Sequence, residues 1–345
     1  MTCSPTSSPP LPTPSANTSD GPAAPAATLI GLGVMGAHLA RNLSRAGYQL
    51  TLVDAAPAAA DALASALSSA RASELTSWQG DGPSTVVLML PSSRDVESVL
   101  AVLAPRLAAG SLVIDMGSSD PNSTQRLAAD LSQEDVLLVD APVSGGPGRA
   151  ATGQLTIMVG GDGAGVARAR PLLLHLGSSL HPTGPVGSAH ALKALNNMLS
   201  AVGLASALEV LTVGARFGLD PAVMLDVINV STGRNHATEF KIGQQVLTGA
   251  YNVGFSLPLT VKDLGIALAL ADAQDMPLTV GRAAAALYRE ALEALGDGQD
   301  QSDVARYLAA LSGVDLAAPG TTRQPGRSGG TAVANPDATA PEAGA

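Results

Sequence analysis

Short apolar segments alternate with longer stretches of helical spacing over the first half of the chain. The short segments are Thr28 to Ile30, Gln49 to Val53, Thr85 to Leu90, Leu112 to Asp115, Val136 to Val139 and Leu155 to Val159. Consecutive parallel strands need a crossover connection, which is usually a helix. The alternation therefore predicts an α/β fold with a mainly parallel, Rossmann-type doubly wound sheet covered by helices.

The pattern changes after Gly187, where strand signals stop and the segments become long and helical in spacing. The first of them runs from about Ser188 to Phe217, and Asp220-Pro221 predicts the start of another helix, because a capping side chain followed by proline is a common helix start. We expect the Rossmann-type sheet and its helices to form one domain over residues 27–186, and a second, all-helical domain over residues 187–315. Residues 1–26 and 316–345 are rich in Pro, Ser, Thr, Ala and Gly, which predicts disordered tails.

Composition narrows the classes of partner. Aromatic residues make up 2% of the 345 residues and the formal net charge is −10, which argues against nucleic acid and anionic membranes as partners. No signal-peptide pattern precedes the folded part, and no uninterrupted apolar run reaches the roughly 18 residues of a membrane helix. Cys3 is the single cysteine, and no spaced Cys/His cluster indicates a metal site. We expect a soluble protein of the reducing cytoplasm.

A glycine-rich turn follows the first predicted strand and opens a helix. Its sequence is Gly31-Leu32-Gly33-Val34-Met35-Gly36. In a dinucleotide site the first glycine makes the tight turn, the second lets the backbone approach the pyrophosphate, and the third allows close packing of helix on strand. In a chain with 37 glycines such a turn alone is weak evidence, since it is more often plain architecture.

Asp54 adds weight to this interpretation. It ends the second predicted strand, 18 residues beyond Gly36. A carboxylate at this position accepts hydrogen bonds from the adenosine ribose and repels a 2′-phosphate, so it favours NAD over NADP. The alternative is an ordinary strand-end or helix-capping aspartate.

Lys193 is the only charged residue between Pro171 and Leu208, within a predicted buried helix. Asn197 lies four residues further on the same face, with Asn196 and Ser200 close to that stripe. A desolvated lysine has a lowered pKa and can take a proton from a hydroxyl as hydride leaves the same carbon, while Asn197 holds lysine and substrate in register. The alternative is a surface lysine whose stem covers apolar residues.

Lys262, in the pair Lys262-Asp263, is a second candidate. It would meet a carboxylate or the cofactor. The alternative is a solvated lysine, with Thr260 and Asp263 at the spacing of a helix capping box.

The segment from Asp140 to Gly146 ends another predicted strand, where ligands gather in such sheets. The N–H groups of a Ser144-Gly145-Gly146 turn can cradle a carboxylate, and the Ser144 hydroxyl adds a donor. On its own, a Ser-Gly-Gly sequence is usually a flexible turn.

Together these motifs resemble the β-hydroxyacid dehydrogenase family, which includes 3-hydroxyisobutyrate dehydrogenase and tartronate semialdehyde reductase. The resemblance runs from about Leu29 to Leu311 and includes Gly31 to Gly36, Asp140 to Gly161, Gly187 to Asn197 and Lys262 to Leu264. It implies that Lys193 is the catalytic lysine, that Asn197 and the Ser144-Gly145-Gly146 turn bind substrate, and that Lys262 lies beside cofactor and substrate. It also implies cofactor contacts at Leu90, Pro91 and Ser118, and a homodimer or homotetramer built through the helical domain.

The activity so predicted is reversible, NAD-dependent oxidation of a small 3-hydroxy acid to its semialdehyde, with Lys193 as general acid and base. A 6-phosphogluconate dehydrogenase would have histidine where Asn196 stands, and an imine reductase resembles this fold with the lysine replaced. A sensor that binds NAD without turnover would not need Lys193, Asn197 and the Ser-Gly-Gly turn. Arg234 either selects a second anionic group or is a surface arginine.

Overall fold

The computed structural model describes residues 24–80 and 82–317. Most of the two predicted tails lies outside these residues. Each predicted tail includes a residue of the folded part: Ala26 pairs with Gln49 in the sheet, and Leu316 is buried against the helical core. Composition changes gradually at such edges, whereas pairing and burial begin at particular residues.

Nine strands make up the sheet in the described residues. They are β1 (Ala26–Ile30), β2 (Gln49–Val53), β3 (Ala70–Ala72), β4 (Thr85–Leu88), β5 (Leu112–Asp115), β6 (Leu137–Asp140), β7 (Val143–Ser144), β8 (Leu155–Gly160) and β9 (Gly177–Gly184). The helices of this part are α1 (Val34–Arg45), α2 (Pro57–Ser65), α3 (Ser93–Leu103), a 3₁₀ turn (Ala104–Arg106), α4 (Pro121–Ser132), α5 (Gly146–Ala151) and α6 (Gly163–Leu173).

The strands follow the order β3-β2-β1-β4-β5-β6, all parallel, which confirms the predicted doubly wound sheet. Strand β8 runs antiparallel to β6 and β7 and parallel to β9. The chain order reverses at β1, which pairs with both β2 and β4. In sheets of this kind the carboxyl ends of the strands at such a point border the ligand crevice.

Helices cover both faces of the sheet. Leu29 and Ile114 belong to one apolar cluster, and Val86 and Val113 to the other, so neighbouring residues of one strand are buried on opposite faces. This is why the strands are apolar throughout rather than alternating. The sequence did not predict β3, β7 or β9, and it extended β4 by two residues, since Met89 and Leu90 continue the apolar run beyond the last paired position.

The second part of the chain is helical. Its elements are α7 (Ser188–Phe217), α8 (Pro221–Asn229), a π-helix (Thr238–Val246), α9 (Leu257–Ala273), α10 (Thr279–Leu295), a 3₁₀ turn (Gln301–Asp303) and α11 (Val304–Ser312). Its core joins Leu204 and Leu208 of α7 to Leu264 of α9 and Tyr288 of α10. The last strand ends at Gly184 and α7 begins at Ser188, on either side of the predicted domain boundary at residues 186 and 187, which itself stays a prediction.

One predicted helix start is confirmed and one is wrong. The Asp220 carboxylate accepts hydrogen bonds from the Ala222 and Val223 backbone N–H groups and caps α8 as expected. The capping box at Thr260 and Asp263 does not exist, because α9 begins earlier, at Leu257, where the Ser256 hydroxyl is the cap. Asp263 is therefore inside the helix and free for another role.

Helix α7 is the one helix of residues 24–80 and 82–317 that is long and apolar enough, by length and composition alone, to cross a membrane. Its sequence has no uninterrupted apolar run of that length, because Lys193, Asn196 and Glu209 are among the residues that interrupt it. Along one side of α7, Ala201, Leu204 and Leu208 are buried in the helical core, as in the core helix of a globular domain. Leu199, Val213 and Phe217 are exposed on the other side.

Candidate active site

The glycine-rich turn joins β1 to α1 at the point where the sheet order reverses. Gly31 has a φ of +92°, and a side chain there would collide with the Met89 carbonyl. A side chain at Gly36 would collide with the Gly31 carbonyl, so both positions require glycine for close packing. At Gly33, by contrast, an added Cβ would meet nothing within 4 Å. Its backbone faces open space, which fits the approach of a pyrophosphate to the start of α1.

Asp54 lies directly after β2 and contacts the same turn. One carboxylate oxygen accepts a hydrogen bond from the Leu32 N–H at 2.7 Å and the other from the Ala56 N–H at 2.9 Å. The carboxylate is thus fixed beside the turn, where ribose hydroxyls would lie if the pyrophosphate occupied the start of α1. Among the described residues no side chain caps the first turn of α1.

A cleft of about 700 Å³ lies between the sheet and the helical part. The sheet contributes Gly33 to Gly36, Met89 to Pro91, Met116 to Ser118 and Val143 to Pro147, and the helical part contributes Lys193, Gly254 to Ser256, Lys262, Asp263 and Asp297 to Asp300. The structure therefore brings most of the predicted site residues to one place. Gly31, Leu32, Asp54 and Asn197 lie next to this lining rather than in it.

Lys193 faces this cleft, and no hydrogen-bond acceptor for its ammonium occurs among the described residues. Burial lowers the pKa of Lys193, the nearby carboxylate of Asp263 opposes that shift, and the charge of Lys262 adds to it. A lysine enclosed in this way exchanges a proton more readily near neutral pH than a solvated one. The alternative of a lysine extended into bulk water does not fit its position.

Asp263 is the site residue that sequence reasoning missed. It is 1% exposed, and it accepts hydrogen bonds from the Ser118 hydroxyl at 2.9 Å and the Asn197 amide at 2.5 Å. The adjacent charged pair Lys262-Asp263 indicated a polar site, but the capping-box interpretation gave Asp263 a purely local role. Because one carboxylate holds Ser118 of the sheet domain and Asn197 of α7, it fixes the two sides of the cleft relative to each other.

Lys262 completes this connection. Its ammonium donates to the Pro91 carbonyl at 2.9 Å and the Ser118 carbonyl at 2.7 Å, and lies 3.2 Å from the Asp263 carboxylate. The loops after β4 and β5 are thereby tied to α9. Lys262 is not a fully solvated lysine, since its ammonium is held by two backbone carbonyls, and its place beside the cofactor stays a prediction.

The Ser144-Gly145-Gly146 turn forms another part of the cleft wall. Gly145 and Gly146 have φ values of 130° and 65°, which side chains rarely adopt, and a side chain at Gly145 would collide with Arg149. Helix α5 starts at Gly146, so its first N–H groups have no acceptor within the helix. These residues line the same cleft as Lys193, and a carboxylate bound there could accept their N–H groups.

Two family models match consecutive parts of the chain. One describes the NAD-binding domain of 6-phosphogluconate dehydrogenase and matches residues 26–184, and the other describes the NAD-binding domain of NADP-dependent 3-hydroxyisobutyrate dehydrogenase and matches residues 187–308. An NAD-dependent L-serine dehydrogenase of Pseudomonas aeruginosa is 36% identical over 269 residues, which are 75% of this chain and 90% of that protein. The chain belongs to the β-hydroxyacid dehydrogenase family.

Further relatives agree with that assignment. A 2-(hydroxymethyl)glutarate dehydrogenase of Eubacterium barkeri is 34% identical over 83% of this chain and 96% of its own length. The solved structure of Mycobacterium tuberculosis 3-hydroxyisobutyrate dehydrogenase with L-serine has a TM-score of 0.75 and 28% identity, over 83% of this chain and 99% of that one.

Membership in the β-hydroxyacid dehydrogenase family confirms the predicted fold class and resemblance. It also confirms that the chain is a dehydrogenase with a nicotinamide cofactor, and both NAD and NADP occur among the matching proteins. The roles of individual residues, from Gly31 to Lys262, stay predictions, and the geometry gives the contacts from which each role can be tested.

The loop after β5 is held closely at Gly117 and Ser118. A side chain at Gly117 would crowd the Leu90 carbonyl, while the Ser118 hydroxyl reaches Asp263. Asp95 accepts a hydrogen bond from the Ser92 hydroxyl at the start of α3 and does not line the cleft.

Proposed function

We propose that this β-hydroxyacid dehydrogenase catalyses the reversible oxidation of a small 3-hydroxy acid to its semialdehyde with NAD. The observation that carries the proposal is Lys193, an enclosed amine to which the described residues offer no hydrogen-bond acceptor, in a cleft shared with the glycine-rich turn and the Ser144-Gly145-Gly146 turn. The three groups supply proton exchange, a cofactor cradle and an anion cradle within one site.

Lys193 carries the proton. In the direction of oxidation the neutral amine accepts the hydroxyl proton while the C–H bond of the same carbon breaks, and the resulting ammonium returns a proton in the reverse direction. NAD, when bound, accepts the hydride. Asn197 is held by Asp263 on the Lys193 side of the cleft, so it can orient the substrate hydroxyl toward the amine.

The cofactor would be held by backbone and one carboxylate. The turn from Gly31 to Gly36 would take the pyrophosphate, and Asp54 the adenosine ribose. Leu90, Pro91 and Ser118 would border the nicotinamide end, since they line the same cleft as the glycine-rich turn and Lys193. The fixed charge of Asp54 disfavours NADP because a 2′-phosphate would meet it.

The substrate carboxylate would bind the N–H groups at Gly145 and Gly146 and the Ser144 hydroxyl. This places the acid group on the sheet side and the alcohol carbon toward α7. An imine reductase or a sensor without turnover is less consistent with the site, since neither explains an enclosed lysine facing an anion cradle.

A turnover assay with labelled substrate tests this function. Purified enzyme is incubated with NAD or NADP and with 3-hydroxyisobutyrate, L-serine, glycerate or threonate, and reduced cofactor is followed by absorbance. For the best substrate, deuterium at the alcohol carbon should appear in the reduced nicotinamide, and the rate should show a primary isotope effect. Absence of reduced cofactor with all hydroxy acids, or deuterium retained in the product aldehyde without transfer, would contradict the proposal.

We also propose that the exposed side of α7 packs against a second copy of the chain. Leu199, Val213 and Phe217 are 73%, 71% and 84% exposed. Together they form an apolar surface whose contact with water is unfavourable, which is typical of an interaction site. The homodimer or homotetramer expected from the sequence would cover it. Light scattering after size exclusion should show an oligomer for the wild type and a smaller species for Phe217→Ser.

A further inference from the structure

The helix that carries Lys193 has no capping side chain of its own. Gly187 precedes the first turn of α7 with a φ of 89° and offers no side-chain hydrogen bond to it. The first N–H groups of a helix have no acceptor within the helix, so they need one from outside. Here the acceptor comes from the sheet, 47 positions before Gly187.

Asp140, the last residue of β6, supplies that acceptor. Its carboxylate accepts hydrogen bonds from the Gly187 N–H at 2.8 Å, the Ala189 N–H at 2.9 Å and the His190 N–H at 3.0 Å. Asp140 is fully buried, and within the part of the chain that the structure describes it forms no ion pair. A buried carboxylate is unfavourable unless charge-assisted hydrogen bonds compensate it. The start of α7 therefore stabilises this charge, and the charge in turn holds the start of α7.

The neighbouring strand leaves room for the Asp140 carboxylate. Gly160 of β8 pairs with Asp140, and a Cβ at Gly160 would lie 2.5 Å from one oxygen of that carboxylate. Gly160 is not among the glycines with a positive φ, so its backbone conformation would accept a side chain. The carboxylate is what excludes one, and the sheet is thus shaped around the contact between Asp140 and α7.

The strand that carries Asp140 leads directly to the anion cradle. Ser144 follows Asp140 by four residues, and both pair with β8, as Val143 does. On α7, Lys193 follows His190 by three residues, which is about 4.5 Å along the helix axis. A short path from the Ser144 turn through Asp140 to the first turn of α7 therefore sets where the Lys193 amine lies relative to the cradle.

A second buried carboxylate, one strand away, makes different contacts. Asp115 ends β5 in register with Asp140. It accepts hydrogen bonds from the Gly117 N–H at 2.9 Å and the Ser119 hydroxyl at 2.7 Å, so it fixes the loop after β5. Its contact with α7 is to the side chain of His190, whose ring nitrogen lies 3.8 Å away. Of the two carboxylates, Asp140 is the one that binds the backbone of α7.

We propose that Asp140 is a positioning residue for the reaction, which through the first turn of α7 holds the Lys193 amine at a fixed place relative to the anion cradle. Asp140 does not line the cleft, so it acts on the substrate only through other residues. This inference rests on the proposed function, in which the amine and the cradle contact one substrate. The alternative is a cap that stabilises the fold and has no particular effect on proton transfer.

Two variants disturb this contact in different ways. Asp140→Asn removes the charge and keeps the shape, while Gly160→Ala keeps the charge and displaces the carboxylate. In both, kcat should fall about 10- to 100-fold, since a misplacement of about 1 Å has effects of this size, and NADH binding should stay close to that of the wild type. Gly163→Ala, whose Cβ would meet nothing within 4 Å, is the control and should keep the wild-type kcat.

A double-mutant cycle separates positioning from stabilisation. In Lys193→Ala the amine is absent, so a residue that acts by placing it should have little further effect. Adding Asp140→Asn or Gly160→Ala should therefore change the residual kcat of Lys193→Ala by less than about threefold. The same 10- to 100-fold loss in both backgrounds would indicate a general effect on the fold and overturn the proposal. A wild-type kcat in both single variants would also overturn it.

A measurement without turnover keeps this inference distinct from the proposed function. The chain contains three lysines, Lys193, Lys241 and Lys262, so acetylation of the full-length enzyme at several pH values, followed by peptide mass spectrometry, titrates each amine separately. Burial lowers the pKa of Lys193 and that of Lys241.

If Asp140 holds the Lys193 amine in its enclosed place, the titration of Lys193 should move to higher pH in Asp140→Asn and in Gly160→Ala, because a displaced amine is less desolvated. Lys241 should titrate as in the wild type. This result would support the positioning role even if no hydroxy acid is oxidised. An unchanged titration of Lys193 in both variants, or an equal displacement at Lys241, would overturn it.

Discussion

The two sides of the cleft recognise ligands by different means. The sheet side presents backbone, with N–H groups at Gly33 and Gly146 that are accessible because glycine leaves room. The helical side presents charged side chains, chiefly Lys193, Lys262 and Asp263. The sheet side is therefore built from short segments at strand ends, while the helical side is assembled from residues far apart in sequence, such as Lys193 and Asp263, and Asp263 joins it to Ser118 of the sheet side. The first kind of site depends on local conformation, and the second on how the domains are held together.

The largest effect is expected from removing the amine on the helical side. Lys193→Ala should lower kcat by about 10²- to 10⁴-fold, the usual contribution of a positioned acid or base. NADH binding, followed by its fluorescence, should stay close to that of the wild type because the sheet side is unchanged. Ser206→Ala, at an exposed position of the same helix, is the control. A Lys193→Ala enzyme that kept near-normal kcat would exclude the proton-transfer role.

A pair of glycine variants perturbs the sheet side instead. Gly33→Ala should leave the melting temperature nearly unchanged, since its Cβ meets nothing in the protein, but should weaken NADH binding by at least about tenfold by entering the space of the pyrophosphate. Gly36→Ala should lower the melting temperature, because its Cβ collides with the Gly31 carbonyl. Melting curves and NADH titrations of both variants check this. Unaltered NADH affinity in Gly33→Ala would mean that the cofactor lies elsewhere.

The same contrast explains what the sequence could predict. The turn from Gly31 to Gly36, the bounds of α7 and the Asp220 cap depend on neighbouring residues, and each was predicted at its observed place. The short strands β3 and β7 were not, because two or three residues carry little periodicity and pair only through the neighbouring strand.

Side-chain networks were harder to predict for a related reason. Asp263 joins Asn197 and Ser118, which are 66 and 145 positions away. Nothing in the local sequence specifies these partners, and the local spacing to Thr260 favoured a capping box that does not form.

A smaller effect is expected on cofactor preference when Asp54 is replaced. Asp54→Asn removes the charge and keeps an oxygen for the Leu32 N–H, so the ratio of kcat/KM for NAD to that for NADP should fall by about tenfold. Asp61→Asn, an exposed change on α2, should leave the ratio as it is. If Asp54→Asn discriminated between the two cofactors as well as the wild type does, the ribose contact would have to be assigned to other residues.

The smallest expected effect is a displaced pH profile, and its direction is specific to the helical side. Oxidation needs the neutral amine of Lys193, so the acid limb of kcat/KM follows the pKa of that amine. The carboxylate of Asp263 raises this pKa against the effect of burial, and the charge of Lys262 lowers it. Asp263→Asn should therefore move the acid limb to lower pH, and Lys262→Met should move it to higher pH. Both variants also lose contacts between the domains. That loss should lower the rate at every pH without displacing the acid limb. Only the electrostatic influence on Lys193 predicts limbs displaced in opposite directions, so displacement of both limbs to the same side would assign the titration to a group other than this lysine.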